Sequence, residues 1–431
     1  TMNLKKLNFI LSTFLLLALL VTSVFAEGDE KNKNNTLEKT LGAPVRTFMS
    51  INNIFTVIKN DGISDIDVNE ANSGLVFPAG SGKTAVFTSG FLWGAYVPGD
   101  PQVRVGGTAY RTGLQPGRIT NSGLPWDQLT PEPNVAGDHV RIYRVRPDVY
   151  PGGPVVNLTR DENLEGSSAA AIRSQYELDW TEWPAQYGAP YFDGNNNGQY
   201  DPDPTTGDVP GVPGANQTIW YVANDLNASR TQNLYGALPL GIEMQATFWA
   251  YSQSGALGNM FFRKYKIINK SNTPFDSMYV SMFSDVDLGN AADDFAGSDI
   301  ELSLGYCYNA NANDPTYNPL PPPAVGFDFF QGPKVNGVPL PMTAFYYFAR
   351  GNPAVVDPTQ GDIQGSNQFY NFFQGKIGLT GEPFTNPITG EPTSFAVSGD
   401  PQTGSGWLDG FLIPADDRRI GSASGPFTMA P

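Results

Sequence analysis

The amino-acid sequence predicts a mainly β protein: antiparallel β-sandwich sheets, long loops rich in Gly, Pro and Asn, and one or two short helices. Forty-seven glycines and 36 prolines in 431 residues interrupt the chain too often for long helices. Aromatic residues make up 12% and charged residues only 16%, which suits half-buried pleated strands better than solvated helical bundles. The apolar residues also fall in short bursts bounded by turn formers, the pattern of successive strands.

Taken in order, residues 1–26 carry Lys5 and Lys6, an apolar run from Phe9 to Leu20, and Val24-Phe25-Ala26 before Glu27. These are the three regions of a cleaved signal peptide. The run is shorter than the roughly 20 residues of a spanning helix, and no later segment could cross a bilayer, so no transmembrane segment is expected in the mature chain. Residues 27–44 are polar and lack aromatics, as a flexible leader does. Bursts such as IFTVI and TAVFTSGFLWGAYV make 45–165 an N-terminal β region. Ile172, Tyr176, Trp180 and Trp183 then share one helical face that Pro184 ends, giving a helix and ion-loop region over 166–244. In 245–431 the segments ATFWAY, MFFRKYKIIN, SMYVSMF and DIELSLGYCY read as four strands of a β-sandwich domain with Greek-key connections. A short helix is expected at Gln368–Gln374, and Phe427-Thr428-Met429 reads as the opening of a strand, so the chain is expected to continue past Pro431.

The formal charge is -16, and cleavage of two lysines with no acid takes it to -18. Nucleic acid and anionic membrane surfaces need Lys and Arg to replace counterions, so neither is an expected partner. Cys307 is the only cysteine, which rules out an intrachain disulfide and leaves core burial and bound metal to stabilise a secreted chain. Cys307 itself lies in the apolar stretch GYCYN and reads as a buried small residue. A zinc HExxH site needs two histidines, and His139 is the only one; it opens an alternating strand with no nucleophile elbow nearby. PAGSGKTAV ends like a phosphate-binding loop, but Phe77 stands where the first glycine belongs, so it reads as a glycine turn between strands.

The segment FDGNNNGQYDPDPTTGD points to calcium. Asp193, Asn195, Asn197, the Gln199 carbonyl and Asp201 fall at positions 1, 3, 5, 7 and 9 of an EF-hand-like loop, with Gly198 at the turn position 6. Pro204 stands at position 12, so closing the shell falls to Asp203, Asp208 or another segment. A second acidic cluster of Asp285, Asp287, Asp293, Asp294, Asp299 and Glu301 is dense enough to repel unless a cation or water separates its members; a second calcium site is expected at Asp285, Asp287, Asp293 and Asp294, the alternative being a solvated acidic loop. Asp61, Asp65 and Asp67 form a weaker third group, since Asp is also an ordinary turn residue.

WTEWPAQYGAPYFDGNNNGQYDPDP, IWYVANDLN, YKIINKSNTPFDSMYVSMFSDVDLGNAADDFAGSDIELSLGYCYN, VGFDFFQGP and SGDPQTGSGWLDG together resemble large secreted bacterial surface proteins of the type carried by the type IX secretion system. Members are generally described only as hypothetical exported proteins. The resemblance runs through most of residues 46–431, although the C-terminal immunoglobulin-like sorting domain of such cargo is absent. It implies release from, or attachment to, the outer surface of a Gram-negative bacterium. Where relatives often carry an NGNG form of the ion loop, this chain has Asn195-Asn196-Asn197-Gly198, which keeps the ligand positions.

The expected function is a calcium-stabilised structural or adhesion protein without catalysis, whose partners are calcium and surface glycans or other envelope proteins. The alternative is a carbohydrate-active enzyme or glycan-binding module using a carboxylate pair and aromatics, with Trp180 and Trp183 as one conceivable platform.

Overall fold

The computed structural model describes residues 45–67, 72–133 and 140–431. The signal peptide, the leader and His139 lie outside the described residues. The longer strands are β1 (Arg46–Met49), β2 (Thr56–Lys59), β3 (Thr88–Tyr96), β4 (Val103–Gly107), β5 (Tyr143–Val145), β6 (Gln217–Asn224), β7 (Ile242–Ala250), β8 (Phe261–Asn269), β9 (Phe275–Val286), β10 (Asp294–Asp299), β11 (Leu304–Asn309), β12 (Val325–Asp328), β13 (Ala344–Phe348) and β14 (Arg418–Met429). The α-helices among the described residues are α1 (Thr159–Glu165), α2 (Ala169–Thr181), α3 (Ala228–Tyr235) and α4 (Ile363–Phe373).

The fold is mainly β and its strand pairs are antiparallel. One five-stranded sheet has the order β13-β14-β9-β3-β4; a second runs β5-β6-β7-β8, with the short strand Gln115–Pro116 also paired to β6. A smaller sheet is β10-β11-β12. The two large sheets pack in a sandwich-like arrangement, and most of their strands are buried along their length; β8 is the strand that alternates. On β8, Lys264 and Lys266 are exposed, whereas Tyr265 turns inward to stack on Phe91 of β3 with ring centroids 4.5 Å apart. The RKYKI segment thus has the one wet face its alternation predicts.

The other face of the first sheet carries α4, which starts five residues earlier than Gln368, at Ile363. Its Tyr370 meets Tyr96 and Tyr279 edge-on, and Phe372 stacks on Tyr346 at 5.4 Å. Gly94 makes this approach possible: a Cβ there would lie 2.9 Å from Tyr370 Cδ2.

The three segments 45–165, 166–244 and 245–431 do not fold as separate bodies. β3 is hydrogen-bonded to β9, and β6 to β7, so both large sheets cross the expected boundaries and share one core. Each segment alone would leave strand edges unpaired and an apolar face uncovered. DIELSLGYCY, expected as one strand, instead closes a hairpin from the end of β10 into β11, with Ser303 at φ 55° in the turn. Phe427 to Met429 are the end of the 12-residue β14, not the opening of a strand. PAGSGKTAV forms the expected turn, joining the paired strands Leu75–Val76 and Thr84–Val86. The helices α1 and α3 go beyond the sequence expectation, because TRDENLE and ASRTQNLY are too polar and too short to show an apolar stripe.

The helix α2 buries Ile172, Tyr176 and Trp180 on the face its spacing predicts, whereas Trp183, equally buried at 2%, lies two residues past the helix end. Its start is capped by Ser168, whose side chain accepts from the Ala171 N–H. Polar contacts fix it to β5 and its flanks. Arg144 donates to both carboxylate oxygens of Glu165 on α1, at 2.5 and 3.1 Å, under the ring of Tyr176. Arg141 pairs with Asp179 on α2, and Arg146 with Asp161 at 3.0 Å on α1. Arg141 and Arg144 are 1% exposed.

Candidate metal centres

The loop after α2 is clamped at its base. Tyr191 and Phe192 pair antiparallel with Pro210 and Val209, so residues 193–208 close on themselves. Trp180 Nε1 donates to the Pro202 carbonyl at 3.1 Å, and Tyr200 OH to the Trp180 carbonyl at 2.6 Å, which docks the loop on the helix end. At the neck the two chain passes nearly touch: a Cβ on Gly194 would sit 2.2 Å from the Gly207 carbonyl oxygen.

Inside the loop, Asp193 accepts from the Asn197 N–H at 3.2 Å and the Gly198 N–H at 2.8 Å. Asn195 Oδ1 also accepts from the Asn197 N–H, and Asn197 Oδ1 from the Gln199 N–H at 2.7 Å. The side-chain amides of Asn195 and Asn197 both donate to Asp201 Oδ2, at 2.9 and 2.8 Å. Asn196 and Gly198 adopt φ of 58° and 78°, the left-handed turns that bend the ligands inward. Asp193, Asn195, Asn197, Gln199 and Asp201 are therefore gathered in one loop. The two amides present their NH₂ groups to Asp201, so each must turn over to offer its oxygen to a cation.

Of the residues considered for closing the shell, Asp208 sits at the base of the loop. It is 1% exposed and accepts from the Gly194 N–H and the Asp201 N–H, both at 2.9 Å, tying the two ends together. Asp203 is occupied elsewhere. Its carboxylate caps the turn Pro204–Thr206, and the Thr205 N–H and hydroxyl hold it below the usual carboxylate range.

The second acidic cluster divides. Asp285 and Asp287 lie at the end of β9 on one face, and the β9–β14 register puts Arg419 opposite Asp285. Continuing that register places Asp417 opposite Asp287, and the β13–β14 register brings Arg350 beside Asp417. One oxygen from each of Asp285, Asp287 and Asp417 lies within 4.8 Å of the others, the tightest such acidic group among the described residues. Burial first, then the charges of Asp417, Asp287 and Asp357, push the Asp285 carboxyl up, against the pull of Arg419.

Asp293 and Asp294 face other partners. Asp294 is fully buried, accepts from the Leu288 N–H at 3.0 Å, and is pushed up to about 9, chiefly by burial. Asp293 accepts from the side-chain amides of Asn309 and Asn311, both at 3.3 Å. Sequence spacing grouped these four acids because they are near neighbours in the chain. Asp417 carries no such signal in the sequence, because only strand pairing across the sheet brings it to Asp285.

The weaker third group disperses. Asp61 pairs with Lys59 at 3.3 Å, and Asp65 is buried between Thr56 at 2.6 Å and Arg263 at 2.5 Å. Cys307 is fully buried, as read, and burial pushes its thiol well up. Among the described residues no helix is long and apolar enough to cross a membrane. Comparison with family models, curated proteins and solved structures finds no match for this chain.

Proposed function

We propose that the chain is a secreted, calcium-stabilised structural or adhesion protein of a bacterial outer surface, acting without catalysis. The observation that carries this reading is the clamped loop 193–208, in which Asp193, Asn195, Asn197 and Asp201 gather around left-handed Gly198 while Asp208 ties the ends. Oxygen donors of this kind suit a hard cation, and calcium accepts the irregular shell that a loop without a Glu at position 12 offers. Extracellular modules bind calcium at roughly 10⁻⁴ to 10⁻³ M, an affinity this exposed loop can meet. The net charge of -16 favours cations and disfavours anionic partners. Calorimetric titration of the mature chain with calcium is expected to show uptake that loses one site in Asp193→Ala. Full uptake retained in that variant would remove the loop from the reading, and no uptake in the parent would end it.

A glycan-binding reading is favoured by a different surface. On the outer face of β7 and β8, Trp249 stacks on Phe262 at 5.2 Å, Tyr251 and Phe330 meet Phe262 edge-on, and Phe330 is 84% exposed. Aromatic faces of this kind are where sugar rings stack. Trp180 and Trp183 do not contribute, since each is 2% exposed and donates its indole N–H to a backbone carbonyl. Retention of the mature chain on a polysaccharide gel, lost in Phe330→Ala, would support this second reading; migration unaffected by the polysaccharide would count against it.

A further inference from the structure

We propose that Asp285, Asp287 and Asp417 form a second divalent-cation centre, one that fastens β14 to β9 and takes a hard, oxygen-preferring ion of calcium's size. It is independent of the 193–208 loop.

The first ground is geometric. Opposite ligands across a calcium ion stand about 4.6–5.2 Å apart, and the three carboxylates already hold one oxygen each within 4.8 Å of the others. They can share one ion without separating.

The second ground is unmet hydrogen-bonding capacity. Asp417 is 9% exposed, and both Arg350 and Arg419 donate to its Oδ2, at 2.8 and 2.7 Å, which leaves buried Oδ1 with no hydrogen-bond partner. Asp285 is 7% exposed; its Oδ1 has a 3.5 Å ion pair with Arg419 Nε but no hydrogen bond. Buried carboxylate oxygens in this condition are rare unless something else engages them.

The third ground is charge. Asp285, Asp287, Asp357 and Asp417 surround the site, and the cations facing them are Arg350 and Arg419. With these four acids ionised, two negative charges remain uncompensated, the amount one divalent ion supplies, and Asp416 adds a further negative charge nearby. Arg418, although adjacent, is spent on Asp409 at 2.7 Å. Ser73 Oγ, 3.1 Å from Asp287 Oδ2, steadies the ligand contributed by the segment after β9.

The test uses the mature chain carrying Asp193→Ala, so that the loop site is silent. Calcium chloride, and separately magnesium chloride, is titrated in by calorimetry. One calcium per chain should remain, with affinity falling more than about tenfold in Asp287→Asn and in Asp417→Asn. Asp287 is half-buried and carries no ion pair, so Asp287→Asn decides the matter if Asp417→Asn fails to fold by circular dichroism. Absence of binding in the Asp193→Ala chain, or binding that Asp287→Asn leaves unchanged, would overturn the proposal. Loss of the loop site alone would leave this centre standing, so the two readings fail separately.

Discussion

At the end of β6, the Asp225 carboxylate is 1% exposed yet accepts three backbone N–H bonds, from Leu240 at 2.8 Å, Gly241 at 3.0 Å and Ile242 at 2.8 Å. Burial outweighs those donors and raises its pKa to about 6. Because the folded value lies above the unfolded one, the group adds stability below about pH 4 and loses that contribution as the pH rises through about 6. The shift corresponds to roughly 3 kcal/mol at most. Urea titrations from pH 4 to 7 should therefore show stability falling across this window, and Asp225→Asn should flatten the fall relative to the parent. The same variant should be weaker by about 1–3 kcal/mol at pH 4, because an amide cannot accept at both oxygen positions. At this scale the sequence was most legible where contacts are local: the alternate spacing of Asp193 to Asp201 around Gly198 corresponds to one internally hydrogen-bonded loop. Asp225 has no such signature, since its donors arrive from the start of β7 after an intervening helix.

Among the elements, α2 was readable from period alone, because Ile172, Tyr176 and Trp180 recur at helical spacing and are buried together. What holds it was not. RIYRVR looks like a strand with charged, wet positions, but Arg141 and Arg144 are buried against acids contributed by α1 and α2. A strand's charges read as solvent-facing unless their partners are known, and those partners lie on helices later in the chain. Removing one member of a buried pair leaves the other charge stranded. Arg144→Ala should cost about 3–5 kcal/mol in chemical denaturation. Replacing both members, Arg144→Met with Glu165→Leu, should recover most of that loss; a double variant as weak as the single one would mean that shape, not charge, holds the helices to β5.

For the whole molecule, composition was enough to establish a mainly β fold, and three of the four apolar bursts after residue 245 did mark single strands, the fourth spanning a hairpin. Pairing was beyond reach. Alternation says that a stretch is a strand and which side is wet, but it carries no label for its neighbour, so regions adjacent in sequence passed for domains while β3 was pairing with β9 and β6 with β7. The same blindness hid the partnership of Asp285 with Asp417. The position of β14 has a consequence for how the chain assembles. Its segment comes last of the described strands yet lies between β13 and β9. A growing polypeptide thus makes both flanking strands long before the piece that separates them exists. Contacts so distant in sequence are slow to form, because a long loop must close before they repay its entropy. The five-stranded sheet is therefore expected to close only once Arg418–Met429 has been made, and a product released ahead of Arg418 would leave β13 and β9 with sticky open edges.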